Sequence, residues 1–231
     1  MVKRTLLLFA AIFALAAGSA LADGAVKGPF AGTVHAVGTI NYKDGGHKTW
    51  TWDRGKISAL SATSIMLTRR DKATVSFAIT ADTLVRNQGA SYTLADLKVG
   101  QAATVVSQDG NAAIIRNIRG DGAPSGADSS AIDGPAEASV NGSVTATYVD
   151  GSQQSFDYDR GKITALSADS LTIVRLDKQS VTFSYDASSL IVREKGDVVS
   201  TGDLKVGERA MFFSQSGKLL LVRCLAQPKQ S

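Results

Sequence analysis

The sequence predicts an all-β protein built from two tandem small β-barrels, and three observations lead to this fold class. Apolar and polar residues alternate in segments such as Val75–Thr80 and Val181–Asp186, a period typical of strands with one buried face. The chain repeats itself, and no segment keeps a helical period over several turns. Short, evenly spaced strands in a unit of about 88 residues favour a closed or nearly closed barrel, because closure removes unpaired strand edges.

Residues 1–22 have the pattern of a secretory signal peptide. The basic pair Lys3-Arg4 precedes an apolar run over 6–17, and Ala20 and Ala22 supply small residues for cleavage. The run of 12 residues is shorter than the ~18 that a spanning helix needs. We therefore expect an exported protein (periplasmic, cell-wall associated or extracellular) with no transmembrane anchor once the signal is removed.

Composition limits the classes of function. Of the 231 residues, 44% are hydrophobic, which excludes wholesale disorder. One Cys excludes a disulfide scaffold or a thiolate zinc cluster, and two His leave little for another metal site, so neither a metal nor a cofactor is predicted. Loss of the two basic residues of the signal lowers the net charge from +4 to +2. Because bases and acids also alternate along the chain, nucleic-acid binding is not expected.

The strongest internal signal is a duplication. Trp52–Ser61 recurs as Tyr158–Ser167, 106 residues later, and Asp96–Gly100 recurs as Asp203–Gly207, 107 residues later. One residue has therefore been inserted near Val192, in a connection where insertion is tolerated.

The duplication defines two barrel repeats, over 32–119 and 140–227. Residues 120–139 between them are rich in Gly, Ala, Ser, Pro and Asp and lack Lys, Arg and aromatic residues. Such a segment buries too little apolar area to offset its ordering entropy, so we expect a flexible linker. The linker favours two separately folded units, with a swapped arrangement as the alternative.

The segment from Gly55-Lys56-Ile57 to Asp96-Leu97-Lys98-Val99-Gly100, with its copy, resembles a bacterial family of secreted domains, domain of unknown function 5666 (DUF5666). The resemblance covers 54–118 and 160–225. It implies a small β-barrel of OB-like or related topology in an exported protein, and it brings no activity and no catalytic residues. OB-like barrels often bind oligonucleotides or oligosaccharides, which gives one alternative function.

Two hairpins are predicted, each ahead of the segment that carries the resemblance in its repeat. Asp44-Gly45 and Asp150-Gly151 are typical of type I′ turns, which need positive φ at both central positions. A two-residue loop at the first of them would pair Thr39 with Trp50 and Val37 with Trp52.

The candidate ligand-binding residues follow these hairpins. Trp50 and Trp52 share a face of a strand, as do Phe156 and Tyr158. Such pairs could stack on sugar rings or bases, but aromatic residues also dominate small cores, and we favour a core wall. The basic residues that follow could contact an anion. The spacing of their glycines does not fit a phosphate loop, so we favour a charged bend of the strand that is fixed by glycine. They are Arg54, Lys56, Arg160 and Lys162.

No catalytic constellation is predicted. His35 and His47 occur only in the first copy, and there is no Gly-x-Ser-x-Gly elbow. Most acids lie at turns, where Asp satisfies backbone donors. Cys224 is expected as a buried strand thiol, with an interchain disulfide as the alternative. Arg69 and Arg175 are expected to pair with a local Asp, with a ligand role as the alternative.

The sequence therefore predicts a non-enzymatic exported protein that acts as a structural or binding module. The candidate partners are a cell-envelope glycan or another exported protein, since tandem weak sites gain avidity for a repeating polymer. A hydrolase of envelope polysaccharide, with carboxylates at strand ends, is the alternative from another class.

Overall fold

The chain is nearly all strand, and the prediction of an all-β fold is confirmed. The computed structural model describes residues 28–87, 90–91, 93–118, 138–192 and 198–225. In these ranges the helical pieces are two 3-10 turns, Leu94–Asp96 and Thr201–Asp203, and none is long and apolar enough to cross a membrane. The predicted signal peptide lies outside the described residues.

The strands of the two copies correspond one to one. The first copy contains β1 (Thr33–Tyr42), β2 (His47–Leu60), β3 (Ser64–Arg69), β4 (Thr74–Ala78), β5 (Leu84–Asn87), β6 (Ala90–Ser91), β7 (Ala102–Gln108) and β8 (Asn111–Ile118). The second contains β9 (Ser139–Tyr148), β10 (Gln153–Leu166), β11 (Ser170–Arg175), β12 (Ser180–Ser184), β13 (Leu190–Val192), β14 (Val198–Val199), β15 (Arg209–Gln215) and β16 (Lys218–Cys224).

Strand pairing within each copy follows a circuit. In the first copy β2 pairs with β3, β3 with β4, β4 with β8 in parallel, β8 with β7, and β7 with β2. The second copy repeats this order with β10, β11, β12, β16 and β15. Each circuit has its own apolar cluster, which includes Ile57 and Phe77 in the first copy and Ile163 and Phe183 in the second.

The two copies are joined edge to edge, which differs from the expectation of separately folded units. β1 pairs antiparallel with β9, so one sheet runs through both copies. Within its own copy, the hairpin of β1 and β2 or of β9 and β10 leaves one strand edge without a partner. The backbone groups of these two edges pair with each other. Of the predicted linker, residues 120–137 lie outside the described residues, whereas Ser139 already belongs to β9.

The pairing of β1 with β9 is two-fold symmetric. Gly38 lies opposite its own equivalent, Val144, and Ala36 lies opposite Ala146. The same surface of each copy therefore contacts the other copy, as in an isologous interface.

A third apolar cluster, the central core, lies between the copies. Both copies contribute to it, with side chains such as Ile40, Trp52, Val144 and Phe213. Phe30, just before β1, packs against Phe213 of the second copy with ring centroids 5.1 Å apart. The copies thus share the central core, in addition to the apolar cluster that each copy has of its own.

The hairpin turns are one residue longer than predicted. The N–H of Gly45 donates to the carbonyl of Tyr42, and the N–H of Tyr42 donates to the carbonyl of Gly46. Gly45 has a φ of +81° and Asp44 is not in the positive-φ region, as in a type I turn followed by a glycine bulge rather than type I′. The turn at Gly151 has the same pattern.

The longer turn shifts the strand register. Trp50 lies opposite Gly38, and Trp52 lies opposite Ala36. These small residues leave room for the indole rings on the same face. The predicted partners, one residue further along β1, were Thr39 and Val37.

Candidate binding surfaces

The predicted ligand-binding residues lie on one face of the two long strands. Because they alternate along β2 and β10, their side chains share a face in each copy. We call this the core face, since its first part covers the central core. The residues are Trp50, Trp52, Arg54 and Lys56 on β2, and Phe156, Tyr158, Arg160 and Lys162 on β10.

The four aromatic side chains form a core wall. Their exposed fractions are 5% for Trp50, 0% for Trp52, 1% for Phe156 and 0% for Tyr158, so they are not available to stack on a ligand. Burial raises the pKa of the Tyr158 hydroxyl to about 12, and a hydrogen bond with Ser139 at 2.9 Å partly offsets this effect. The alternative of an exposed aromatic platform does not describe this surface.

The basic residues divide by position. Lys56 and Lys162 are exposed, Arg54 is half-buried and Arg160 is buried. Burial lowers the pKa of the Arg54 guanidinium, and the charge of Arg70 lowers it further. The structure shows a close backbone approach rather than a bend at the glycines between these basic residues: a Cβ at Gly55 would lie 2.5 Å from the Thr68 carbonyl oxygen, and a Cβ at Gly161 would lie 2.7 Å from the Val174 carbonyl oxygen.

Three arginines that the sequence interpretation missed lie on the core face as well. They are Arg86 on β5, Arg116 on β8 and Arg223 on β16, and each is half-buried. Each arginine comes two residues after an apolar residue that belongs to the central core or packs against it. These apolar residues are Leu84, Ile114 and Leu221, in the same order. This spacing of two residues along a strand is the sequence signal from which the positions of the three arginines could have been predicted.

These arginines align with the predicted ones across neighbouring strands. In the first copy the row across β2, β7, β8 and β5 is Arg54, Thr104, Arg116 and Arg86. The equivalent row in the second copy is Arg160, Met211, Arg223 and Val192.

The opposite face of the four middle strands, which we call the polar sheet face, is in contact with water. Its residues are all exposed or half-buried; they include one acid, Asp157, two histidines, and no Lys or Arg. They are His47, Thr49 and Thr51 on β2, His35, Val37, Thr39 and Asn41 on β1, Asn141, Ser143, Thr145 and Thr147 on β9, and Gln153, Ser155 and Asp157 on β10.

Hydrogen bonds order this face. The hydroxyls of Thr39 and Thr49 lie 3.3 Å apart, and those of the equivalent pair, Thr145 and Ser155, lie 2.9 Å apart. Between the copies, the Asn41 amide donates to Asn141 Oδ1 at 2.9 Å. The face is therefore continuous across both copies.

An ion-pair cluster fixes the turn after β3 to β2. Arg69 contacts Asp53 and Asp71, each at 2.8 Å. His35 Nδ1 lies 2.9 Å from the same Asp53 carboxylate. Asp53 is buried and accepts from both neighbours, so we interpret this cluster as structural; the expected pairing of Arg69 with a local Asp is present.

The second copy repeats the cluster without a histidine. Arg175 contacts Asp159 at 2.9 Å and Asp177 at 2.8 Å. Asn141 occupies the position equivalent to His35. A chemical role that needs His35 is therefore limited to the first copy.

Acid is expected to act on these clusters in two directions. Burial opposes ionisation of Asp71, but hydrogen bonds from Arg69 and the Ala73 N–H outweigh it and lower its pKa. Its stabilising effect is thus present above the ordinary pKa of about 4 and is lost as pH falls through the lower folded value. Burial raises the pKa of Asp159 despite Arg175, so this carboxyl contributes a gain in stability as pH falls from neutral towards about 4.

Urea unfolding between pH 7 and pH 2 tests both signs. We expect Asp71→Asn to reduce the loss in free energy of unfolding at pH values below about 4. We expect Asp159→Asn to remove the gain in free energy of unfolding as pH falls from 7 towards about 4. Asp82→Asn, at an exposed turn position, is the matched control and should leave the curve unchanged. Identical curves for Asp159→Asn and the parent chain would contradict the assignment.

The described residues contain no group of three or more His, Cys, Asp or Glu side chains placed to hold a metal ion. Cys224 is 5% exposed and lies in the apolar cluster of the second copy, as expected of a strand thiol. The chain matches no protein-family model, no curated protein and no solved structure. The resemblance to DUF5666 therefore stays an expectation.

Proposed function

We propose that this chain is an exported, non-enzymatic binding module of two OB-like barrels, whose polar sheet face binds a neutral glycan of the cell envelope. The observation that carries the proposal is this continuous face of hydroxyl and amide groups, which both copies build together. The aromatic side chains of the same strands lie on the opposite face, in the central core. Recognition on the polar sheet face would therefore depend on hydrogen bonds.

The strand circuit supports the OB-like part of the proposal. Counted from the long strand β2, the five strands pair in the order first, second, third, fifth, fourth, and the fourth pairs with the first. This order, with β4 and β8 as the parallel pair, is the one expected of a five-stranded OB barrel, to which β5 and β6 are additional.

The usual OB ligand surface gives no support to an oligonucleotide partner. OB barrels bind such ligands on the face of their second and third strands, which are β3 and β4 here. The outward residues of these strands are uncharged and not aromatic, so neither stacking nor phosphate contacts are supplied. They are Ser64, Met66, Thr68, Thr74, Ser76 and Ala78.

The chemistry of the polar sheet face suits a neutral, hydroxyl-rich partner. Hydroxyls and amides both donate and accept, and sugar hydroxyls do the same. Short side chains such as Thr39 and Ser155 lose little rotamer entropy on binding, and their cross-strand pairs are already formed. The face has one carboxylate, Asp157, and no Lys or Arg, so it offers no strong positive field to attract a polyanion.

Two-fold symmetry favours a polymer over a single sugar. The pair of Thr39 with Thr49 recurs 106 residues later as Thr145 with Ser155. A strand of repeating units can contact both pairs at once, and the second contact is then intramolecular and gains effective concentration.

Lysine on the polar sheet face is expected to abolish this binding. Thr39→Lys places a long, charged, exposed side chain in the middle of the face, without touching the core. We expect sedimentation with insoluble polysaccharides (neutral β-glucan and chitin, and purified cell wall) to weaken at least tenfold, about 1.4 kcal/mol, with no release of soluble sugar by the parent chain.

Thr182→Lys is the matched control. Thr182 is exposed and also belongs to a cross-strand hydroxyl pair, with Thr172 at 2.9 Å, but it lies outside the polar sheet face. Equal retention of the two variants, or no retention of the parent chain on any of the three polymers, would overturn the proposal. Release of labelled sugar would favour the hydrolase alternative.

A further inference from the structure

A cluster of three arginines lies on the core face, at the border between the copies. Arg86 on β5 is in register with Arg116 on β8, and these are neighbouring parallel strands about 4.8 Å apart. Ile114 and Leu221, two residues before Arg116 and Arg223, pack in the same central core. Arg116 and its two-fold equivalent Arg223 therefore leave that core at the same border.

Two charges of this cluster, those of Arg86 and Arg116, are held together at an electrostatic cost. Burial lowers the pKa of Arg116 to about 10, and the charges of Arg223 and Arg86 contribute to the lowering. Among the described residues, the ion pairs of 4 Å or less do not include Arg86 or Arg116. Like charges held together in a half-buried position cost free energy, and a bound anion would offset that cost.

A buried hydroxyl beside the cluster also lacks a partner. Thr104 is 2% exposed, and its Oγ1 has no hydrogen-bond partner among the described residues. It lies on β7 between Arg54 and Arg116, on the same face as both. An unsatisfied buried hydroxyl is costly, and an oxygen of a ligand at the cluster would accept a hydrogen bond from it.

We infer that this border binds one compact oxyanion, a phosphate or sulfate group, between Arg86, Arg116 and Arg223 with Thr104 beside them. Guanidinium groups bind such anions through two parallel N–H donors, which makes arginine the preferred residue for this recognition. Because Arg116 and Arg223 belong to different copies, the anion would be held by both copies at once.

The second copy lacks two parts of this site. Val192 stands in the place of Arg86, and Met211 in the place of Thr104. The arrangement is thus complete on one side of the two-fold axis, and the expected stoichiometry is one anion for each chain.

Calorimetry and thermal unfolding with inorganic phosphate, sulfate and chloride at constant ionic strength test this inference on the full chain. We expect phosphate and sulfate to raise the melting temperature and chloride to leave it unchanged. Arg86→Val should weaken phosphate binding at least tenfold, and Thr104→Met should weaken it less. Each substitution installs the residue that the other copy carries at the equivalent position, so the fold tolerates that residue there.

Arg116→Gln adds a second, opposite readout. Without phosphate this variant is expected to melt above the parent chain, because a like charge has been removed, and with phosphate it should gain little further. Lys98→Gln removes one positive charge at an exposed turn and is the control, with an unchanged phosphate response. Equal phosphate shifts in Arg86→Val and the parent chain, or equal shifts with chloride and phosphate, would overturn the inference.

A sugar phosphate, compared with inorganic phosphate, identifies the source of the group. Tighter binding of the sugar phosphate supports a phosphorylated glycan, and equal binding supports the free anion. The polar sheet face is not involved, so Thr39→Lys should keep the full phosphate response. Failure of glycan retention and failure of this anion site are thereby distinguished.

Discussion

Replacing Gly142 with alanine is expected to lower the free energy of unfolding by about 2–4 kcal/mol. Gly142 lies on β9 opposite Ile40 of β1, in the middle of the sheet that joins the copies. A Cβ there would lie 2.3 Å from the Thr39 carbonyl oxygen and 2.8 Å from Ile40 Cδ1. The first contact is with backbone, which can move away only if β1 and β9 separate.

Urea unfolding of Gly142→Ala provides the measurement. Gly202→Ala is the matched control, because its Cβ would meet only Ser200 Oγ at 3.7 Å, an ordinary contact. As both copies share the central core, we also expect the parent chain to unfold in one cooperative transition. Two resolved transitions, of which Gly142→Ala shifts neither, would show that the pairing of β1 with β9 contributes nothing to stability.

Trp52→Ala is expected to cost about 3–5 kcal/mol, the usual range for truncation of a fully buried tryptophan. Trp52 is 0% exposed and packs in the central core with side chains of both copies. The cavity would therefore lie between the copies rather than inside one of them. Trp52→Phe keeps most of the ring volume and should cost less than half as much.

Amide hydrogen exchange shows where the Trp52→Ala effect extends. We expect protection to fall on β10, around Phe156 and Tyr158, as well as on β2, because the four aromatic side chains belong to one cluster. Loss of protection confined to the first copy would contradict a shared core. An unchanged free energy of unfolding would contradict the burial of Trp52.

The sequence was sufficient to predict most of the long strands, because each copy carries the same period-two pattern and the duplication checks one copy against the other. The short strands β5, β6, β13 and β14 were not predicted, because two to four residues are too few to show a period. It did not predict the register of the first hairpin. Asp44-Gly45 is compatible with both type I′ and a type I turn with a bulge, and Gly46 as the next residue favours neither. One extra loop residue was enough to place Trp50 opposite Gly38.

The pairing between the copies could not be predicted for a different reason. A period of two shows that one face of β1 is buried, but it does not identify the element that covers it. Alternation did place Arg54 on the same face as Trp52, and Arg116 follows Ile114 by the same rule. Their alignment across β2, β7 and β8, however, depends on long-range strand order, which local pattern does not encode.

The self-complementary pairing of β1 with β9 bears on the origin of this chain. A protein with one copy would carry β1 as an edge strand that matches itself, and two such chains would associate as a symmetric homodimer around the same aromatic core. Fusion of two gene copies joins the two halves of such a homodimer in one chain, and each half can then evolve separately. Val192 and Arg86, at equivalent positions, record such divergence, since identical subunits could not differ there.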